Sequence, residues 1–168
     1  IGTSAFRDCS NLKSITIPPN VTSIGLDAFN GCSNLTSMVI SSNVKSIGSS
    51  AFYGCTRLTN VHIEDVWKWY NVYMANSYAN PMYYAKHFYF SGENDEYYEL
   101  VEYTIPESIT TINQYAFAGL LSLKTLTIPS TVESIGKGAL FSLANLETLE
   151  IPYIGGSLTE NKYFGYIF

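Results

Sequence analysis

The sequence predicts a solenoid: right-handed coils stacked in register, one strand of each coil joining a parallel sheet. Three observations predict it. A phrase returns every 23 residues, as VTSIGLDAFNGCSNLTSMVI from Val21 and VKSIGSSAFYGCTRLTNVHI from Val44. A truncated copy opens the chain (IGTSAFRDCSNLKSITIP), and full copies resume at Ile109 and Val132. Self-similarity at a fixed period of this length means stacked units, each covering the apolar face of its neighbour. Finally, apolar residues alternate with polar ones at the end of each phrase, the period of a strand with one buried face.

The columns of the repeat justify each element. Leu12, Leu35, Leu58, Leu100, Leu123 and Leu146 step by 23, 23, 42, 23 and 23, so one coil carries a 19-residue insertion. Ile15, Met38, Val61, Tyr103, Leu126 and Leu149 follow, then Ile17, Ile40, Ile63, Ile105, Ile128 and Ile151. These are the buried positions of strands that stack about 4.8 Å apart. Pro18, Pro106, Pro129 and Pro152 end strands because proline has no N–H to donate. A second apolar patch (Val21/Ile24, Val44/Ile47, Ile109/Ile112, Val132/Ile135) forms the opposite wall. Gly25, Gly48 and Gly136 after it predict a tight bend, with Asn113 in the same slot. Ala28-Phe29, Ala51-Phe52 and Ala116-Phe117 predict an aromatic stack in the interior, with Leu140 taking that slot later.

Cys9, Cys32 and Cys55 share one column. Adjacent coils bring such residues within disulfide range. Leu120 and Leu143 occupy the same column, however, and the spacing matches no zinc signature. An apolar slot filled by buried thiols accounts for both facts.

The phrase IPxxVxSIGxxAFxGCxxLxxIxIP, carried by IPPNVTSIGLDAFNGCSNLTSMVI and its siblings, resembles the BspA-like class of bacterial leucine-rich repeats. The resemblance covers about two thirds of the chain, and the Ser-Ile-Gly and Ala-Phe pieces separate it from ordinary leucine-rich repeats. It implies a secreted or surface-attached bacterial protein engaged in adhesion, with no shared catalytic motif to carry over. The insert NSYANPMYYAKHFYFSG is similar to segments between repeats in such proteins.

Four segments follow: repeats over 1–63, an aromatic insertion over 64–99, repeats over 100–152, and a further irregular segment over 153–168. The insertion reads as a helix plus a β-hairpin. Val66, Trp69, Tyr70 and Tyr73 have helical spacing behind Asp65, KHFYF and YYELVEYTIP are the hairpin strands, and the acidic run GENDE is a solvated tip rather than a calcium loop. Ile1-Gly2 matches Ile24-Gly25, so the chain reads as a piece of a longer array whose open ends make end-to-end contacts between copies.

A formal charge of −5 argues against nucleic acid and anionic membranes as partners. There is no phosphate loop, serine elbow or paired-histidine motif, and only two histidines. The reading is a non-catalytic binding module with no cofactor and no metal, which holds a protein through its strand face; the alternatives are a glycan held by exposed insert aromatics and a structural spacer with no ligand of its own. One expected surface is the outward strand face: Thr16, Val39, Asn60, His62, Glu102, Thr104, Thr125, Thr127 and Glu150. It reads either as a solvated Ser/Thr ladder or as a hydrogen-bonding platform. The other is the insert's aromatics, Trp67, Trp69, Tyr70 and Tyr73, which serve either a local core or a stacking site for sugar rings.

Overall fold

The computed structural model describes residues 1–91, 96–152 and 167–168, with every side chain among them except that of Trp67. The tip of the expected hairpin and the expected irregular segment after Pro152 therefore fall largely outside the described residues.

Chain order begins with β1 (Ser14–Ile17), β2 (Ser23–Ile24), β3 (Ser37–Ile40), β4 (Ser46–Ile47) and β5 (Asn60–Ile63). A one-turn helix α1 (Val66–Trp69), β6 (Tyr73–Met74) and two 3-10 turns (Ser77–Ala79, Pro81–Tyr83) come next. After them lie β7 (His87–Ser91), β8 (Tyr97–Glu99), β9 (Glu102–Thr104) and β10 (Thr111–Ile112). The described strands end with β11 (Thr125–Thr127), β12 (Ser134–Ile135) and β13 (Thr148–Glu150). The longer strands form the strand face, in two sheets ordered β1-β3-β5-β7-β8 and β13-β11-β9. The two-residue strands form the opposite wall, as β2-β4-β6 and β10-β12. This is the parallel solenoid that the repeat predicts, in register at each step: Ile15 pairs with Met38, Met38 with Val61 and Val61 with Phe88.

The expected columns are the core. Met38, Val61, Phe88 and Leu126 are fully buried. Phe6, Phe29 and Phe52 stack almost flat, with ring centres 5.2 and 5.4 Å apart. The turn that holds them bends through left-handed residues four apart, such as Asp27 (φ 53°) and Gly31 (φ 77°), then Ser50 (φ 54°) and Gly54 (φ 77°). Gly48 has a different reason from the expected bend. A Cβ there would meet the Leu26 nitrogen at 2.5 Å, so it is glycine because the preceding coil's backbone passes against it.

The insertion departs from expectation. It does not stand on the solenoid as a helix and hairpin; residues 64–91 are threaded through it as an extra, longer coil. His87 pairs with Asn60, 27 residues back, and Tyr73–Met74 extend the opposite wall beside Ser46–Ile47. The helix stops after a single turn because the next residues gain more by lengthening an existing wall than by propagating a short helix in isolation. Only the β7–β8 hairpin is as expected, with Tyr89 opposite Glu99 and Ser91 opposite Tyr97.

This odd coil replaces backbone rungs with side chains. In a regular step, Asp27, Phe29 and Gly31 donate their N–H groups to the Ser49, Ala51 and Tyr53 carbonyls. One coil later, Phe52 donates to the Tyr78 carbonyl, but Ser50 donates to Asn76 Oδ1 (3.1 Å) and Gly54 to the Tyr84 hydroxyl (3.0 Å). On the far side, Asn113 Nδ2 and Gln114 Nε2 donate to the Asn71 and Met74 carbonyls. Fully buried Asn80 donates to the Tyr115 and Ala118 carbonyls and accepts from the Met82 N–H. Buried backbone groups must be paired somewhere. A coil of the wrong length pairs them through amides and a phenol.

The cysteine column is an apolar slot. Buried Cys32 and Cys55 donate their thiols to the Phe6 and Phe29 carbonyls at 3.1 and 3.3 Å. Burial pushes the thiols up to about 11 and about 12, far from the thiolate a metal or an oxidant needs. Cys9 has the same slot but is exposed.

Candidate functional site

The strand face is built from the outward residues of each strand, because their neighbours at alternate positions point into the core. It carries all nine residues expected there, in two groups. Thr16, Val39 and His62 form one register column, which Tyr89 continues. Asn60 lies in another, between Ser37 and His87. On the second sheet, Thr125 lies between Glu102 and Thr148, and Thr127 between Thr104 and Glu150. Thr127 donates its hydroxyl to Glu150 Oε2 at 3.2 Å. The two groups are separated by the hairpin, which no reading of the regular columns would place between them.

At that junction the hydroxyl-bearing face gives way to an aromatic cluster. The His62 ring stacks on Tyr89, with centres 4.8 Å apart, and meets Tyr97 edge-on at 4.6 Å. His87 lies over the same Tyr89 ring, and its Nδ1 is 2.6 Å from Glu99 Oε1. Both histidines of the chain are thus gathered on one ring. Beside Glu99 a groove of about 500 Å³ opens, with Val101, Ser122, Asn145 and the paired Lys124 and Glu147 (3.2 Å) along it. Glu102 and Glu150 are exposed.

His62 has a buried Nδ1 with no hydrogen-bond partner, and burial lowers its pKa below the ordinary 6.5. Tyr89 and Tyr97 face its ring, His87 lies on the same Tyr89 ring, and Glu99 pairs with His87. The unfolded chain takes up this proton at a higher pH than the folded one. The stability it contributes is therefore complete above pH 6.5 and falls as the pH drops from 6.5 toward the folded value. Urea midpoints at pH 7.5 and 5.0 should show a decline that is smaller in His62→Phe. Identical declines in the two proteins would refute the assignment.

The expected insert site dissolves. Trp69 and Tyr70 are 3% and 0% exposed, in the core that the odd coil needs. Tyr70 stacks on Phe117 at 6.3 Å, next to the interior Tyr103, and burial raises both phenols. Neither ring offers a face to a ligand. Tyr73 is 55% exposed but sits on the opposite wall, in β6, and the Trp67 side chain lies outside the described ones. What sequence reasoning missed was His87, Tyr89, Tyr97 and Glu99. The signal was KHFYF, which alternates like the NVHI of the coil before it.

A strand face over one parallel sheet, an Ala-Phe interior and Ser-Ile-Gly bends recurring at one period define a family. The BspA type leucine rich repeat region matches residues 1–81 and 93–166, with 6 copies. The chain belongs to this family. Leucine-rich repeat proteins are generally non-catalytic binding modules, and no enzyme family is indicated. The chain is 25% identical to a leucine rich cell surface protein from Faecalibacterium prausnitzii, with a TM-score of 0.52 over 90% of this chain and 44% of that one. It is 29% identical to a leucine-rich repeat protein from Bacteroides ovatus, with a TM-score of 0.53 over 90% of this chain and 34% of that one. The chain thus spans less than half the length of either. No curated protein matches it. Among the described residues, no helix is long and apolar enough to cross a membrane.

Proposed function

We propose that this BspA-type segment is an adhesion module of a bacterial surface or secreted protein, and that it holds a protein partner on its strand face. The observation that carries this reading is the cluster of His62, His87, Tyr89, Tyr97 and Glu99, set in a sheet whose other outward residues are mostly small and hydroxylated. Tyrosine is enriched in protein contacts, and tyrosine among small polar side chains is the composition of antibody paratopes. Tyr97 is 42% exposed, so ring area remains for a partner.

The test is binding of the chain to immobilised extracellular-matrix proteins, followed by two variants on the face. Tyr97→Ala and Thr127→Arg should each weaken a bound partner about tenfold or more while the thermal midpoint stays within a few degrees. Binding that survives both variants, or that is lost only together with folding, removes the strand face from consideration.

A further inference from the structure

Away from the strand face, on the turns that lead back to it, four tyrosines meet. Tyr53 comes from the Ala-Phe turn before Gly54; Tyr78, Tyr83 and Tyr84 come from the odd coil. Their rings contact edge to face in a chain. Tyr53 and Tyr78 are 5.1 Å apart at 84°, Tyr78 and Tyr83 4.8 Å at 64°, and Tyr83 and Tyr84 5.1 Å at 71°. The group is fixed in place: Tyr84 is tied to the Gly54 N–H, and Tyr83 ends a 3-10 turn capped by buried Asn80. Tyr53 and Tyr83 are still 50% and 42% exposed.

The fold does not demand an aromatic at position 53. The same slot holds Asn30 in the preceding coil and Ala118 in a later one. It is tyrosine in the coil against which the odd coil sets three more. The electrostatic character of the patch is neutral. All four side chains are phenols, uncharged near pH 7; the Tyr83 hydroxyl raises Tyr78 further, and burial raises Tyr84. A stable protein partner needs roughly 800 Å² on each side, and two half-exposed rings offer a small part of that. A ligand of a few rings fits the scale. Rigid phenol faces receive the C–H face of a sugar, and their hydroxyls exchange hydrogen bonds with its own.

We propose that Tyr53, Tyr78, Tyr83 and Tyr84 form a stacking site for a neutral saccharide, separate from the strand face. Neutral oligosaccharides of β-1,4-linked glucose, β-1,4-linked N-acetylglucosamine and α-linked mannose are the probes, followed by calorimetry and by saturation transfer from protein to sugar. At least one should bind. Tyr53→Asn and Tyr83→Ser should each weaken it about tenfold or more, whereas Tyr97→Ala on the strand face leaves it unchanged. Tyr53→Asn installs the preceding coil's own residue, so it removes the ring without disturbing the turn, and circular dichroism confirms that both variants fold. The proposal is overturned by failure of every probe to bind, by binding indifferent to both variants, or by binding lost in Tyr97→Ala alone. Loss of a protein partner in Tyr53→Asn with no sugar bound would make the patch a protein contact instead.

Discussion

Replacing Phe52 with alanine is expected to cost roughly 3–5 kcal/mol, the range for emptying a large aromatic from a packed interior. The ring is 0% exposed and stacks on Phe29, while its backbone bonds to the odd coil through the Tyr78 carbonyl. The surrounding rings cannot close over the gap, because their heights are set by the spacing of the backbone ladder. Phe6→Ala is the comparison. That ring is half-buried and stacks on Phe29 alone among its described ring contacts, so its loss should cost clearly less. Urea denaturation of the two variants decides the point: equal costs would mean that the interior stack is not what sets stability.

The second large effect is expected at Asn80, a residue that the repeat pattern does not mark. Asn80→Leu keeps the volume and removes the amide. The Ala118 carbonyl and the Met82 N–H then lose the partners they have in the fold, while the Tyr115 carbonyl keeps the Ala118 N–H. Each buried group left unpaired costs about 1–3 kcal/mol, so the loss should be on the order of 4 kcal/mol. Asn80→Asp should not rescue it, since the carboxylate faces two carbonyl oxygens where the amide donated. A leucine variant as stable as wild type by urea denaturation would show that the odd coil is held by apolar packing alone.

The contrast between these two residues shows what was legible beforehand. Phe52 could be placed from the sequence because its role recurs: the same physics operates in every coil, and a period makes it visible. The cysteine slot was readable for the same reason, since Leu120 and Leu143 fill it elsewhere. Asn80, Asn76 and Tyr84 act once each, at one junction, and a singular role leaves no period. The insertion departs from its sequence pattern on the same grounds. Val66, Trp69, Tyr70 and Tyr73 do have helical spacing, yet a wall already built beside them overrode local preference. Its aromatics stand out in the sequence as a group, but which of them are buried and which exposed does not. That sorting depends on which residues oppose Phe117 and which oppose Tyr53, a long-range fact. The strand face was legible wherever the columns were regular, and illegible where β7 joined it.

The way the odd coil docks bears on how such an array grows. The coil before it presents to the junction the same N–H groups, from Ser50, Phe52 and Gly54, that its predecessor presents to a regular neighbour. For these three groups the adjustment is made by Asn76, Tyr78 and Tyr84 of the odd coil itself. It is an adapter with a standard socket on one side, so a segment of unrelated length can be spliced in after a regular coil without retuning the coil that receives it. On the other side Asn113 and Gln114 are specialised in return, and that boundary is where the sequence records the splice. A change of surface chemistry within the odd coil thereby leaves the ladder of the coil before it in register.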